Sequence, residues 1–244
     1  MASVLTRCLT GALAAACAVA GIALASPTLS VPLRRQDATF NNEVVFVPPS
    51  DYTSHKVLYA RSAQLPDGSL ILTWDNQSPE PPEVWTPVFR STDGGYTWSN
   101  YTTIHDSQNG WGLRYQAFPF VLTEQIGRFP EGSVLLAVNS APANWSDFKI
   151  ELYASTDNAQ TFTFVSHIAP AGSEVSDPAG SGNGVQLWEP FLMIYNNQLV
   201  CFYSDSRDPA HSQKLSVQTS SDGVTWSDPQ NAVEIGRASC RERV

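Results

Sequence analysis

A carboxylate, Glu189, heads the apolar run Leu187-Trp188-Glu189-Pro190-Phe191, where Trp188, Pro190 and Phe191 leave it little solvent and no local cation. That is the setting of a carboxylate retained for function. Two more polar residues share its place: Arg61 and Gln116, like Glu189, lie near the start of a long apolar run. Asp75, Asn139 and Asp205 close the run that follows, each seven residues after a turn residue (Gly68, Gly132 or Gln198). If the runs are strands that start near a common axis, these six converge on one pocket that mixes charge with hydrogen-bonding groups. The plainer readings stand beside this one. Asp75, Asn139 and Asp205 would also serve as strand-end caps that accept turn N–H groups, and Arg61 as a buried ion-pair partner. Other chemistries lack their residues. The four histidines have no metal-ligand spacing, and there is no glycine-rich phosphate loop and no Gly-x-Ser-x-Gly elbow, so neither metal nor organic cofactor is expected.

The elements that must position these residues repeat. "RSTDGGYTW" (90–98), "ASTDNAQTF" (154–162) and "TSSDGVTW" (219–226) share Ser, Asp, Thr and a closing aromatic, and Asp93, Asp157 and Asp222 are 64 and 65 residues apart. Before each comes a pair of runs rich in Val, Ile, Leu, Phe and Tyr around a turn, which reads as a β-hairpin. Each repeat thus supplies four antiparallel strands. A four-stranded unit recurring at this period describes an all-β propeller, with about three blades present and a leading strand at 43–47. The turn aspartates are expected to accept N–H bonds within their own turns, marking architecture and not chemistry.

The chain has 244 residues, 42% hydrophobic and 15% charged, a globular balance. Residues 1–25 carry Arg7, an Ala-rich apolar run and the small-residue pattern Ala23-Leu24-Ala25, as a signal peptide of a secreted protein does. Residues 234–244 have no apolar period, crowd three arginines together, and are expected to be a non-native tail translated from a sequencing adapter. The domain is therefore 26–233. Setting both ends aside removes four arginines and two glutamates and moves the net charge from −9 to −11. So acidic a surface argues against nucleic acid or anionic membrane as a partner. Cys201 is then the only cysteine, which leaves no internal disulfide and makes it a buried small hydrophobe. Sequons at Asn76, Asn100 and Asn144 agree with a secreted glycoprotein.

The turn segments resemble the Asp boxes of the sialidase-like superfamily. Longer matches are more specific: "WGLRYQAF" (111–118), "LLAVNSAP" (135–142), "ELYASTD" (151–157), "FVSHIA" (164–169), "WEPFLM" (188–193) and "YSDSRDPAHSQKLSVQTSSDGVTW" (203–226) are similar to the fungal exo-arabinanases of glycoside hydrolase family 93. The resemblance spans roughly 57–233. It implies a secreted, monomeric, six-bladed propeller that releases arabinobiose from the non-reducing ends of α-1,5-arabinan with retention of configuration. By the same resemblance Glu189 is the nucleophile, while the acid/base glutamate belongs to a following blade. Arg61, Gln116 and Asn139 are expected to bind sugar hydroxyls and hold Glu189 ionised, with Asp75 and Asp205 as substrate-binding residues of the same pocket, and Trp188 or Trp74 to offer a stacking face. About three blades where six are implied reads as C-terminal truncation, and the fragment alone is expected to be inactive. Two rivals remain: a sialidase gripping its substrate carboxylate with Arg61, Arg114 and Arg207, and a non-catalytic carbohydrate-binding propeller.

Overall fold

The computed structural model describes residues 43–53, 55–171, 186–208, 210–211 and 213–235. The signal peptide expected at 1–25, and all but the first two residues of the tail expected at 234–244, lie outside the described residues. Among the described residues there are twelve strands and no helix. They form three four-stranded antiparallel sheets, each built from strands consecutive in sequence. The first holds β1 (Val57–Gln64), β2 (Leu70–Asn76), β3 (Thr86–Ser91) and β4 (Ser99–Ile104). The second holds β5 (Leu113–Val121), β6 (Val134–Ser140), β7 (Phe148–Ser155) and β8 (Thr163–Ala171), and the third β9 (Leu187–Tyr195), β10 (Gln198–Asp205), β11 (Gln213–Ser220) and β12 (Gln230–Ile235). Strand β5 packs on β1 and β2, and β9 packs on β5 and β6, so the first strands of successive sheets lie side by side. This is a propeller-type arrangement with β1, β5 and β9 innermost.

Sequence explains why the second sheet sits in the middle. Strand β6 reads Val-Leu-Leu-Ala-Val and is buried throughout, as a strand covered on both faces must be. Its side chains alternate with the period of two of a strand. Leu135 and Ala137 join the core shared with the third sheet, alongside Leu192, Leu199, Cys201 and Tyr203. Val134, Leu136 and Val138 join the core shared with the first sheet, alongside Ile71, Val88 and Ile104. Cys201 is fully buried, as its apolar run predicts, and burial pushes its thiol far up.

The three Ser-Asp-Thr turns join the third and fourth strands of their sheets. Asp93 Oδ1 accepts the N–H groups of Tyr96 (3.0 Å) and Thr97 (2.9 Å), and Oδ2 accepts the Thr97 hydroxyl (2.6 Å). Asp157 repeats this with Gln160 and Thr161. The third turn is one residue shorter, yet Asp222 still accepts Val224 N–H and Thr225 N–H, both at 2.8 Å. The hydrogen bond from the Thr97 hydroxyl, with further bonds from Thr97 N–H and Ser91, holds Asp93 down to about 2. Burial of Asp157 works the other way, but bonds from Thr161 and Ser155 outweigh it and lower that group too. Depressed folded values mean that the turns stabilise the fold above the unfolded carboxylate range, near 4, and lose that contribution as pH falls through the folded values. We expect Tm to fall between pH 4 and 2, and to fall less steeply in Asp157→Asn; an unchanged slope in that variant contradicts this role.

The sheets also dock at this end. Gly127, in the loop between β5 and β6, lies so close to Asp222 that an added Cβ would stand 2.7 Å from its Cα. Ser166 on β8 donates to Gly223 O (2.7 Å) and accepts from Trp226 Nε1 (3.1 Å). Residues 43–47, expected as a leading strand, are not in a strand in this structure; Phe46 stacks on Trp74 (5.1 Å) and meets Phe89 edge-on (6.0 Å). Trp74 is thereby buried and offers no open stacking face.

Candidate active site

Each innermost strand breaks register near its start. Pairing shifts between Leu58 and Arg61 on β1, between Tyr115 and Phe118 on β5, and opposite Phe202 and Ser204 on β9. At each break one residue is left-handed: Tyr59 (φ 50°), Gln116 (φ 55°) and Glu189 (φ 56°). These are β-bulges, which bend a strand and re-aim one side chain. None of the three is glycine, so each carries roughly 1–2 kcal/mol of backbone strain that the surrounding fold must offset.

The register revises two of the sequence equivalences. Leu70, Val134 and Leu199 pair with the turn serines Ser91, Ser155 and Ser220, which fixes the alignment of the second strands. Counting from them, Tyr59 and not Arg61 matches Gln116 and Glu189; Arg61 matches Phe118 and Phe191, two residues further along. Asp75 and Asn139 match Ser204, while Asp205 matches Asn76 and Ser140. A slip of one residue puts a side chain on the opposite face of its sheet. Asp205 is accordingly committed elsewhere: it takes Arg207 in a two-pronged ion pair (2.9 and 2.7 Å) and accepts Ser216 Oγ (2.9 Å). Burial would raise its pKa, but the Arg207 bonds hold it low.

Asp75, Gln116, Asn139 and Glu189 do come together, and their bonds cross all three sheets. Asp75 Oδ1 accepts Gln116 N–H at 2.6 Å. Gln116 Oε1 accepts Glu189 N–H at 2.9 Å and Asn139 Nδ2 at 3.2 Å, and Asn139 Nδ2 also donates to Leu187 O at 2.8 Å. Asp75, Gln116 and Asn139 are buried, whereas Glu189 is exposed, which corrects the expectation that Trp188, Pro190 and Phe191 leave it little solvent: the left-handed bulge turns this residue outward. Among the described residues, Asp75 Oδ2 and Asn139 Oδ1 are buried without a hydrogen-bond partner. Arg61 is half-buried and its charge reaches Asp75, its guanidinium lying 5.9 Å from the Tyr59 ring centre. Trp188 packs its ring among Phe148 (5.1 Å), Tyr115 (5.4 Å) and Trp145 (5.8 Å) and donates Nε1 to Gln186. It therefore braces the Glu189 bulge, with much of its ring committed to packing.

Burial raises Asp75 to about 7 against the opposing Gln116 N–H and Arg61 charge. With a folded value above the unfolded one, Asp75 favours folding most below about pH 4, and that contribution is lost as pH rises through 7. Asp75→Asn keeps an acceptor for Gln116 and cannot ionise. Its Tm is expected to be flatter than wild type between pH 4 and 8; an equal decline in both proteins contradicts this assignment.

Local sequence did not reveal Tyr59, nor the buried carboxylate Glu151, which sits within the apolar strand β7. Burial, with the nearby Asp106 charge, raises Glu151 to about 7. Its two oxygens are satisfied by Asn109 Nδ2 (2.6 Å), Tyr153 OH (2.8 Å) and His167 Nε2 (3.2 Å), a closed structural network two strands out from the innermost one. The arginines weighed for gripping a carboxylate are likewise committed. Arg114 is buried on Glu80 (2.6 Å) and Ala141 O (3.1 Å), and Arg207 on Asp205, Tyr203 and Pro170. Among the described residues no group of three or more His, Cys, Asp or Glu could hold a metal ion. A cavity of about 690 Å³, lined by Gln64, Pro66, Val121 and Glu131, lies at the opposite ends of β1 and β5 and does not touch the constellation.

No protein-family profile and no curated protein matches the chain. Solved structures do. An α-L-arabinofuranosidase of Fusarium graminearum in complex with an iminosugar inhibitor is 44% identical at a TM-score of 0.76, over 82% of this chain and 55% of that one. The GH93 α-L-arabinofuranosidase of the same fungus with arabinobiose is 44% identical at 0.76, over 81% and 54%. An α-L-arabinanase of Penicillium chrysogenum with arabinobiose is 43% identical at 0.74, over 79% and 54%. The chain spans about half the length of these relatives. With its three propeller-type sheets, the chain is similar, over the half of their length that it spans, to the GH93 α-L-arabinofuranosidase of Fusarium graminearum and the α-L-arabinanase of Penicillium chrysogenum.

Proposed function

We propose that this segment carries half of the active site of a retaining exo-α-1,5-L-arabinanase, with Glu189 as nucleophile. The observation that carries the reading is the exposed Glu189 carboxylate, held on a left-handed bulge that Gln116 pins from the neighbouring sheet. The relatives bound to arabinobiose supply the substrate class. In the proposed reaction the Glu189 carboxylate attacks the anomeric carbon, the leaving oxygen takes a proton from a second carboxyl group, and water then cleaves the glycosyl ester. Two inversions give net retention. The acid/base group is not assigned within residues 43–235. Asp75 Oδ2 and Asn139 Oδ1, buried and without partners among the described residues, are suited to sugar hydroxyls.

The same proposal includes a ring of six such sheets of the sialidase-like, Asp-box type, export through residues 1–25, and a monomeric enzyme. Of the three sequons, those at Asn100 and Asn144 are exposed and suited to glycosylation, while Asn76 is buried. Commitment of Arg114 and Arg207 to internal partners weighs against a sialidase. Digestion of linear α-1,5-arabinan by the complete protein, followed by chromatography and proton NMR, tests the reading. Arabinobiose of retained configuration is expected; free arabinose, inverted product or sialic acid release from sialyllactose overturns it.

A further inference from the structure

Tyr59 occupies the bulge position that Gln116 and Glu189 occupy in the next two sheets. A bulky aromatic with φ near +50° is a conformation that only an over-determined environment retains, and such outliers cluster at ligand sites. Nothing in the packing of Tyr59 itself accounts for the strain. Tyr59 is 41% exposed, and among the described residues its ring contact is with the Arg61 guanidinium, 5.9 Å away. The other exposed aromatic near these bulges behaves differently: Phe191 packs its ring on Phe118 at 4.9 Å. Tyr195 is exposed at the far end of β9, away from the bulge.

We propose that Tyr59 is a sugar-stacking residue: its ring takes the C–H face of an uncharged furanose or pyranose unit while Arg61 hydrogen-bonds that unit's hydroxyls. This rests on the reading of a carbohydrate-active hub given above and adds to it a specificity-determining residue from the first sheet. An aromatic face offers apolar area with little rotamer entropy to lose, and a guanidinium beside it offers fixed donors, so the pair discriminates ring geometry better than either alone. The bulge re-aims the tyrosine, and the Arg61 charge reaches Asp75 of the same network.

Isothermal titration of the complete protein with arabinobiose, galactobiose and sialyllactose tests the proposal, using wild type, Tyr59→Phe, Tyr59→Ala and Tyr59→Gly. Arabinobiose affinity is expected to fall at least about tenfold in Tyr59→Ala and stay within about twofold in Tyr59→Phe, the fold-change of one lost ring contact. Tyr59→Gly relieves the left-handed strain, so its Tm should hold or rise while its affinity falls, a combination that a purely structural residue does not give. Arabinobiose binding unchanged in Tyr59→Ala and Tyr59→Gly overturns the stacking role and leaves the arabinanase reading standing. Binding of another sugar that Tyr59→Ala abolishes supports the stacking role and overturns the arabinanase reading. No binding of any of the three sugars to wild type overturns both.

Discussion

Glu189→Gln in the complete protein is expected to abolish arabinobiose release, lowering kcat by about 10³-fold or more, as loss of a nucleophile does when the remaining groups stay in place. The substitution is nearly isosteric and the side chain is exposed, so Tm should stay within about a degree, the small change usual for a surface position. The Glu189 N–H bond to Gln116 belongs to the backbone and survives. A structural role for Glu189 predicts the reverse: lost stability with residual turnover. Glu189→Ala makes room for a small external anion. With an activated arabinoside and azide, the azide nitrogen should form the bond to the anomeric carbon as the leaving group departs, giving a glycosyl azide of inverted configuration. Azide without effect on that variant speaks for a role other than nucleophile.

Gln116→Met has the second largest expected effect. Methionine keeps the length of the side chain but accepts poorly, so Glu189 N–H loses its acceptor and Asn139 keeps only Leu187 O. A buried amide without a partner costs about 1–3 kcal/mol, which should appear as a lower Tm. The more telling effect is on geometry. Gln116 is a positioning residue, acting through the bulge it pins, and a displacement of about 1 Å at the reacting carboxylate reduces turnover about 100-fold. The expected signature is a fall in kcat with KM nearly unchanged. Gln116→Glu retains an acceptor oxygen and should recover much of that loss, most fully at acid pH, where repulsion from Asp75 is relieved. A fall confined to KM would instead make the Gln116 amide a direct substrate contact.

The blades were legible in the sequence because they repeat: the 64- and 65-residue spacing of Asp93, Asp157 and Asp222 is the spacing of the observed sheets, and each turn aspartate bonds within its own turn. Local hydrophobic pattern also foretold Cys201 as core and Asp75, Gln116, Asn139 and Glu189 as companions. What it missed depends on register. Counting seven residues from a turn works for Asp75 and Asn139 but misplaces Asp205, because the third hairpin turns through only Asn196 and Asn197 while the earlier two use longer loops closed near Gly68 and Gly132. The bulge that puts Tyr59 in line with Glu189 has no marker in the sequence, since neither residue is glycine. Glu151, between Ile150 and Leu152, has apolar sequence neighbours as Glu189 does; its place on the third strand of a sheet, beside Asn109, Tyr153 and His167, makes it structural. For Trp188, the partners that fill its faces, Tyr115 and Trp145, come from another sheet and were out of reach of local inference.

The most direct measurement is covalent trapping: an arabinofuranose-configured cyclitol epoxide, whose strained ring is opened by the attacking carboxylate to leave an ester, followed by peptide mapping by mass spectrometry. The account predicts a single adduct on the peptide containing Glu189, suppressed by arabinobiose and absent in Glu189→Gln. An adduct on a different carboxylate, or equal labelling of the Glu189→Gln variant, contradicts it.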